Sequence, residues 1–380
     1  MGSPNTRGRH LARRVLVTLV VVSTLLTAGA LGAGWYYSGE LLDPANARPG
    51  YREEVVSSTA GTVTLRESSV TALPGTWGLV WPGGSAEVGA VTGRSGDGVV
   101  RELRGAAPPD GTRARLDAAV WPTDPRTARG LAYEEVPIRT ELGDAPAWLV
   151  PATSSTWVVA VHGRGGSRAE VLRIAPVLHD LGLPVLAVTY RNDEGAPRSP
   201  DGLYHLGDTE WRDVEAAVRY ALEHGARDVV LYGWSMGGAI VGQFLGRSAE
   251  ADEVAAVVLD APVVSWSRTL ELQSRNRGVP ERFTAVAELV SDWRADLEFG
   301  RFDLAGHPPA HRPPTLLFHG GADGTVPVGA SRELATAAPG LGWPVRYVEV
   351  PAAEHTAAWN ADPAAYERVV AEFLAEEVVG

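Results

Sequence analysis

From residue 131 onward, short apolar segments alternate with amphipathic segments, and this alternation restricts the fold more than any other feature of the chain. TWVVAV, PVLAV and DVVLY have the length of buried strands, and AEVLRIAPVLHDLG and WRDVEAAVRYALEHG have helical periodicity. Such alternation predicts a mostly parallel sheet with helices on both faces. Because ligands of these sheets bind at the carboxyl ends of the strands, we expect the functional site at that edge.

One serine lies between a predicted strand and a predicted helix. Gly233-Trp-Ser235-Met-Gly237 has the form G-x-S-x-G, follows DVVLY and precedes the helical segment MGGAIVGQFLGRS. In this context the serine occupies a strained turn that exposes its hydroxyl, and the two glycines let the strand and the helix approach closely. The alternative is a turn of small residues that serves packing alone. The context favours Ser235 as a nucleophile.

A serine nucleophile needs a base and an acid. In folds that place the serine on such a strand-to-helix turn, the acid follows the serine along the chain and the base follows the acid. His355 follows the last predicted strand, VRYVEV, and precedes the final helix. Asp323 lies in HGGADGTVP, after the preceding strand, where a carboxylate can orient the imidazole. We therefore predict His355 as the base and Asp323 as the acid, with Asp260, after VAAVVL, as the alternative acid.

The negative charge that develops during acyl transfer needs two backbone donors. One is predicted to be the N–H of Met236, which follows the nucleophile, and the other the N–H of Arg164 in the glycine-rich loop 162–166. The alternative for that loop, a phosphate cradle, lacks the lysine and the Ser/Thr of a P-loop.

Together these motifs resemble those of the α/β-hydrolases, and they are similar to the branch of serine esterases, lipases and aminopeptidase-like enzymes. The resemblance rests on His162-Gly163, on Gly233 to Gly238, on the segment from His319 to Pro327, and on His355. It covers roughly residues 131–380. It implies an α/β-hydrolase fold, the triad of Ser235, Asp323 and His355, and acyl transfer to water without naming a substrate. The serine departs from the dehalogenase and epoxide-hydrolase branches, which carry an aspartate there.

Residues 267–312 occupy the position at which that family places a cap. Within them, apolar residues recur at steps of three and four, as in a helix with one apolar face: Phe283, Val286, Val290, Trp293 and Leu297. Such a stripe favours packing on the body of the enzyme. The alternative is that Phe283 and Trp293 line the substrate pocket.

The N-terminus carries a membrane signal. Residues 15–37 hold no charge and are long enough to cross a hydrocarbon core of about 30 Å. Arginines precede this run, acidic residues follow it, and the aromatic residues 35–37 lie where an interfacial belt is expected. We expect a cytoplasmic tail over 1–14, an uncleaved single-pass anchor over 15–37, and the remainder outside the cytoplasm. The alternative is a signal peptide cut near residues 28–30, which would release a secreted protein.

Residues 38–130 contain short β-rich segments separated by glycine- and proline-containing turns, and no helical period is sustained. We interpret them as a β-rich accessory region. It either packs against the enzyme body as a spacer or controls substrate or partner access.

Composition narrows the chemistry. The chain has no cysteine and no lysine, which excludes thiolate and Schiff-base catalysis, and its net charge of −12 argues against a nucleic-acid partner. We therefore expect a serine hydrolase that cleaves acyl esters of small molecules and needs neither a cofactor nor a metal. A peptidase of the same fold, an acyltransferase and a non-catalytic binding module remain the alternatives.

Overall fold

An eight-stranded sheet forms the centre of the molecule. The computed structural model describes residues 6–47, 49–280 and 282–379. The sheet has the strand order β14-β13-β12-β11-β9-β10-β8-β7. Its strands are β7 (Glu134–Thr140), β8 (Gly143–Val150), β9 (Thr156–Val161), β10 (Val185–Val188), β11 (Asp228–Trp234), β12 (Val254–Asp260), β13 (Thr315–Gly320) and β14 (Val345–Val350). Strands β9 to β14 are parallel, and β7 and β8 are antiparallel at one edge.

Two apolar layers sandwich this sheet because successive side chains of each central strand point to opposite faces. In β9, Trp157 and Val159 join one layer, whereas Val158 joins the other. Helices α4 (Trp211–Glu223), α5 (Met236–Arg247) and α8 (Val328–Ala337) cover the first face. Helices α3 (Ala175–Asp180) and α10 (Pro363–Leu374) cover the second, and α9 (Ala358–Ala361) precedes α10. The predicted α/β fold with helices on both faces is confirmed.

Two helices form a small cap between β12 and β13. They are α6 (Trp266–Asn276) and α7 (Arg282–Ala295), and they lie within a few residues of the segment predicted as the cap. The contact between them leaves the outer face of α7 exposed at Leu289 and Trp293.

The β-rich region is a closed antiparallel barrel with the strand order β1-β2-β5-β4-β3-β6. Its strands are β1 (Glu53–Thr59), β2 (Thr62–Arg66), β3 (Trp77–Trp81), β4 (Gly84–Ser95), β5 (Gly98–Gly105) and β6 (Arg113–Asp117), and helix α2 (Pro125–Arg129) connects it to the α/β domain. The barrel is attached to α9 of the α/β domain. The Asn360 amide donates to the carbonyls of Thr76 (2.7 Å) and Ala118 (3.0 Å).

A buried arginine shapes the part of the barrel that meets α9. Arg101 has no exposed surface, and its guanidinium donates to the carbonyls of Thr71, Leu73, Gly75 and Gly89. Burial lowers the pKa of Arg101 to about 10, so the group stays charged at neutral pH. These bonds hold the loop before β3 in the conformation that contacts α9.

The N-terminal helix α1 (Thr6–Leu42) is continuous and has two different halves. Residues 9–29 are exposed throughout, and the helix is long and apolar enough to cross a membrane. From Ala30 onward most residues are at least partly shielded, and every fourth residue, Gly34, Ser38 and Leu42, is buried against the rest of the molecule. The helix therefore extends past both ends of the predicted span. Residues 1–5 of the predicted cytoplasmic tail lie outside the described residues.

The end of α1 is bonded to the loop after β9. The Arg164 guanidinium donates to the carbonyls of Leu41 (2.9 Å) and Glu40 (2.6 Å), two of the four carbonyls that a helix leaves without partners at its C-terminus. The Leu42 carbonyl accepts from the Tyr204 N–H (2.8 Å), and the Leu42 side chain joins the first apolar layer. The last three turns of α1 are thus part of the enzyme body.

This attachment predicts that the two halves of α1 differ in their contribution to stability. A chain that starts at Thr27 keeps the docked turns and should unfold as a single stable body. A chain that starts at Asp43 loses the Leu42 side chain, whose burial alone contributes on the order of 2 kcal/mol. Thermal unfolding of the two proteins should show a melting temperature several degrees lower for the shorter one. Equal melting temperatures would contradict a structural role for residues 30–42.

Candidate active site

Ser235 occupies a strained turn between β11 and α5. Its φ of 50° and ψ of −117° lie outside the regions that a serine ordinarily adopts. Close packing holds this conformation: a Cβ added at Gly237 would lie 2.1 Å from the Val161 carbonyl oxygen, and one at Gly233 would lie 2.9 Å from the backbone of Gly237. The glycines of the motif therefore stand where the sequence analysis placed them, between a strand and a helix that nearly touch.

The structure brings together the three residues predicted as a triad. His355 Nε2 lies 2.8 Å from Ser235 Oγ, and His355 Nδ1 lies 2.7 Å from Asp323 Oδ2. Ser235 follows β11, Asp323 follows β13, and His355 follows β14, so all three lie at the carboxyl edge of the sheet. In a neutral His355, Nδ1–H donates to Asp323 and Nε2 accepts the serine proton.

The Asp323 carboxylate is buried and fully hydrogen-bonded. Its Oδ1 accepts from the N–H groups of Thr325 (2.7 Å) and Val326 (2.8 Å), and its Oδ2 also lies 3.2 Å from His319 Nε2. Burial works to raise the pKa of Asp323, but the charges and hydrogen bonds of His355 and His319 outweigh it and hold this pKa well below its usual range. Asp323 is therefore ionised at neutral pH.

The interaction between Asp323 and His355 also shifts the pKa of His355. Burial works to lower the pKa of His355, whereas the Asp323 charge and its hydrogen bond raise it, and the net shift is upward from 6.5. A raised pKa makes this imidazole a stronger base for the serine proton, which it can later return to a leaving group.

Asp260, the alternative acid, is not hydrogen-bonded to His355. It lies deeper, fully buried at the end of β12, where it accepts a hydrogen bond from the Tyr366 hydroxyl (3.1 Å), and burial raises its pKa to about 6. Its carbonyl accepts from the Ser235 N–H (3.0 Å), which supports the strained turn from below.

The two predicted oxyanion donors flank the serine. Met236 is the first residue of α5, so its N–H has no partner within the helix. The loop that holds Arg164 passes close to the nucleophile, because a Cβ added at Gly163 would lie 3.0 Å from Ser235 Cβ. Within the described residues the Arg164 N–H donates to no protein acceptor. Both amides are available for a negatively charged oxygen.

A buried ion pair joins the loop 162–166 to the segment after β14 that holds His355. The sequence analysis missed this ion pair. Glu170 accepts from the Gly163 N–H (2.9 Å) with one oxygen and from the Arg173 guanidinium (3.2 Å) with the other. The same guanidinium donates to the carbonyl of Thr356 (2.5 Å), which is the neighbour of His355. Two charged residues three apart in a helical segment usually lie on a solvated face, so only their near-complete burial reveals this role.

A cavity of about 470 Å³ opens above Ser235 and His355, a size typical of small-molecule sites. Its walls come from the cap helices and from the docked end of α1, and they are largely apolar. The lining residues from these walls include Tyr37, Glu40, Leu41, Trp266, Leu270, Val279, Phe283, Thr284, Ala287 and Ser291. The contribution of α1 was not predicted from the sequence.

The structure separates the two aromatic residues predicted to line the pocket. Phe283 lines the cavity, but Trp293 does not: it is 76% exposed and packs against Trp35 of α1, with ring centroids 6.0 Å apart. The expected stripe is divided because α7 lies between two neighbours. Val286 and Val290 contact α1 at Gly34, and smaller residues of α7 face the cavity. The placement of Trp293 in the pocket is therefore wrong.

Fold and geometry define a serine hydrolase of the α/β-hydrolase type. Residues 175–379 match the model of the prolyl oligopeptidase family, and the chain belongs to that family. Residues 54–117, which coincide with the barrel, match a domain of unknown function (DUF8805). No curated protein sequence matches the chain.

Solved structures share the fold at low sequence identity. An esterase of Pyrococcus furiosus is 22% identical with a TM-score of 0.55, over 68% of this chain and 95% of that one. Esterase 2 of Thermogutta terrifontis, phosphonylated by sarin, is 20% identical with a TM-score of 0.51, over 68% of this chain and 98% of that one. An α/β hydrolase of Vibrio vulnificus is 20% identical with a TM-score of 0.50, over 64% and 81%. These similarities establish the architecture.

The upward shift of the His355 pKa predicts a pH dependence. The neutral imidazole is the base, so kcat/KM for a soluble ester should fall as the pH decreases through a value above 6.5. In Asp323→Asn the charge that raises this pKa is gone and burial remains. The acid limb should then move to lower pH, while the rate itself falls by roughly 10⁴-fold. A pH–rate profile of both proteins measures the shift, and an unmoved limb would separate Asp323 from the titration of His355.

Proposed function

We propose that the protein hydrolyses carboxylic esters through an acyl-enzyme formed on Ser235. The observation that carries this proposal is the hydrogen bond of 2.8 Å between Ser235 Oγ and His355 Nε2 at the floor of a largely apolar cavity. An isolated serine hydroxyl is a weak nucleophile, and a neighbouring base that is itself oriented by a carboxylate activates it.

The reaction follows from the positions of these groups. Ser235 Oγ attacks the acyl carbon as His355 Nε2 takes its proton, and the carbonyl oxygen becomes an oxyanion that accepts from the Met236 and Arg164 N–H groups. His355 then gives the proton to the leaving alcohol, and the C–O bond of the ester breaks. Water next attacks the acyl-enzyme with His355 as base, which releases the acid and restores Ser235. The Asp323 charge stabilises the imidazolium both during acylation of Ser235 and during hydrolysis of the acyl-enzyme.

The cavity supports an ester with an acyl chain. A buried CH₂ group contributes roughly 0.8 kcal/mol in apolar surroundings, whereas each unpaired polar group of a bound peptide costs about 1–3 kcal/mol. Among the carboxylates of the described residues, Glu40 lines the cavity, and its charge interacts with that of the Arg164 guanidinium. It is therefore a poor anchor for the free amino group of a peptide.

The family match supports a second candidate, a serine peptidase that uses the same three residues. The two functions differ in what they require of Glu40. A peptidase that grips an amino terminus would need this carboxylate, so Glu40→Gln should abolish the cleavage of aminoacyl anilides. An esterase should cleave p-nitrophenyl esters far faster than aminoacyl anilides, with or without Glu40. Acyl transfer to an acceptor other than water would appear as a new ester or amide among the products.

The exposed apolar half of α1 supports a single-pass anchor with the hydrolase domain outside the cytoplasm. Arg9, Arg13 and Arg14 precede the span, and positive residues stay on the cytoplasmic side. A mature N-terminus near residue 31, determined by N-terminal sequencing from the native host, would support the secreted alternative.

Removal of the nucleophile tests the mechanism. Ser235→Ala should lower kcat for p-nitrophenyl butyrate by about 10⁶-fold and should abolish labelling by a fluorophosphonate probe, because the triad acts as a unit. Its melting temperature should stay close to that of the wild type. Ser57→Ala, at an exposed serine of β1, is the matched control and should change none of these quantities. Wild-type turnover in Ser235→Ala would exclude this mechanism.

The cap is expected to set acyl preference through Phe283. Phe283→Ala enlarges the cavity, so the ratio of kcat/KM for octanoate over butyrate p-nitrophenyl esters should rise, by about tenfold or less per added methylene. Trp293→Ala removes an equally aromatic side chain of the same helix that does not line the cavity, and its ratio should equal that of the wild type. An unchanged ratio in Phe283→Ala would assign this residue to packing alone.

A further inference from the structure

The docked half of α1 and the cap helix α7 together expose an apolar patch. It consists of Leu31, Trp35 and Tyr36 of α1 and of Leu289 and Trp293 of α7, each between 48% and 76% exposed. The two helices are locked side by side: Val286 and Val290 contact Gly34, and the Arg294 guanidinium donates to Ser38 Oγ (2.9 Å) and lies over the Trp35 ring. The patch is therefore a rigid surface of both helices.

This patch is continuous with the apolar half of α1. A hydrocarbon core of about 30 Å takes up about 20 helical residues, and that number counted from Val15 ends at Gly34. Gly34 is the residue at which α7 packs on α1. If α1 crosses a bilayer, α7 must lie at the boundary between hydrocarbon and water, where tryptophan and tyrosine side chains are favoured.

The exposed carboxylates in and just after α7 lie toward one end of the helix. The two helices run the same way, because Val286 lies beside Gly34 and Arg294 lies beside Ser38. Among the α7 residues whose side-chain exposure is described, Ala285 and Leu289 are exposed nearer the bilayer, and Asp292 and Trp293 are exposed at the far end, with Asp296 exposed just after the helix. Among the described side chains, the exposed carboxylates of this segment therefore lie on the water side of Leu289.

The cavity lies between the same two helices. Tyr37 and Leu41 of α1 form one wall, and Phe283 and Ala287 of α7 form another. Phe283 is about one turn nearer the bilayer than Val286, whereas Ser235 lies beside the loop of Gly163 and Arg164, which contacts the end of α1 that is farther from the bilayer. The apolar lining thus extends from the triad toward the level of the lipid headgroups.

We propose that the apolar patch rests in the bilayer boundary and that the substrate is an amphiphilic acyl ester dissolved in the membrane, which enters the cavity from the leaflet beside α7. This inference rests on the proposed ester hydrolysis and adds its substrate class. An acyl chain that moves from the leaflet into the cavity exchanges one apolar environment for another and avoids exposure to water.

Absence of cysteine allows a direct test of the patch. Leu289→Cys and Trp293→Cys in the full-length protein, labelled with nitrobenzoxadiazole and reconstituted in phosphatidylcholine vesicles, should show blue-shifted emission and quenching by a nitroxide-labelled lipid. Val70→Cys, at a 40% exposed apolar residue of the barrel region, is the control and should show neither. Emission at Leu289 and Trp293 equal to that at Val70 would overturn the proposal. A shift that grows with the protein-to-lipid ratio would assign the patch to a second copy of the chain and would also overturn it.

Kinetics test the route of the substrate. The double variant Leu289→Asp, Trp293→Asp should cleave 4-methylumbelliferyl palmitate in phosphatidylcholine vesicles about tenfold more slowly, because two carboxylates oppose insertion at the interface. It should cleave soluble p-nitrophenyl butyrate at the wild-type rate. The matched control Val70→Asp, Val379→Asp, at two exposed apolar residues outside the patch, should resemble the wild type with both esters.

The possible failures are distinguishable. If wild-type protein cleaves neither ester and takes up no fluorophosphonate probe, the proposed function fails. If it cleaves the soluble ester but the patch variant retains full activity on the vesicle-borne ester, the proposed function stands and the membrane route is wrong.

Discussion

The strained turn at Ser235 is the constraint on which the rest of the site depends. A serine at φ 50° persists only where its surroundings over-determine it, and here four elements do so. The chain of β9 passes against Gly237, the Asp260 carbonyl accepts the Ser235 N–H, and the Ser235 carbonyl accepts from Gly238 and Val263. The same turn directs the hydroxyl out of the sheet edge toward His355 and leaves the Met236 N–H free. The strain, the position of the proposed nucleophile and that of the proposed oxyanion donor are therefore consequences of one backbone geometry.

The positions of candidate-site residues that depend only on the order of strands and helices along the chain could be predicted from the sequence. The motif around Ser235 and the position of His355 after the last strand require only strand and helix periodicity, and the fold follows from the same pattern. Side-chain direction could not be predicted. The three- and four-residue spacing of α7 is compatible with burial on either side, and only the neighbour α1 decides that Val286 packs while Trp293 is exposed. Likewise, Arg173 and Glu170 look like surface charges until three-dimensional burial identifies them.

Both segments outside the α/β core, the barrel and α1, contact residues close to the candidate active site. The barrel contacts Asn360, five residues after His355, and α1 ends on Arg164, whose backbone is a proposed oxyanion donor. The proposed triad and oxyanion donors would need to be fixed within a fraction of an ångström, and segments outside the α/β core contact the residues that carry them. This arrangement is consistent with the interpretation of the barrel as a packing partner of the α/β domain.

These long-range bonds impose an order on biosynthesis. The carbonyl of Thr76 accepts a hydrogen bond from the Asn360 amide, 284 residues later in the chain, and the carbonyl of Glu40 accepts one from the Arg164 guanidinium, 124 residues later. Because a chain emerges from the ribosome amino terminus first, α1 and the barrel are complete while the surfaces that cover them are still unmade. During that interval the buried face of α1 around Gly34 and Leu42 is bare. The nascent chain therefore passes through a stage in which that face has no intramolecular partner.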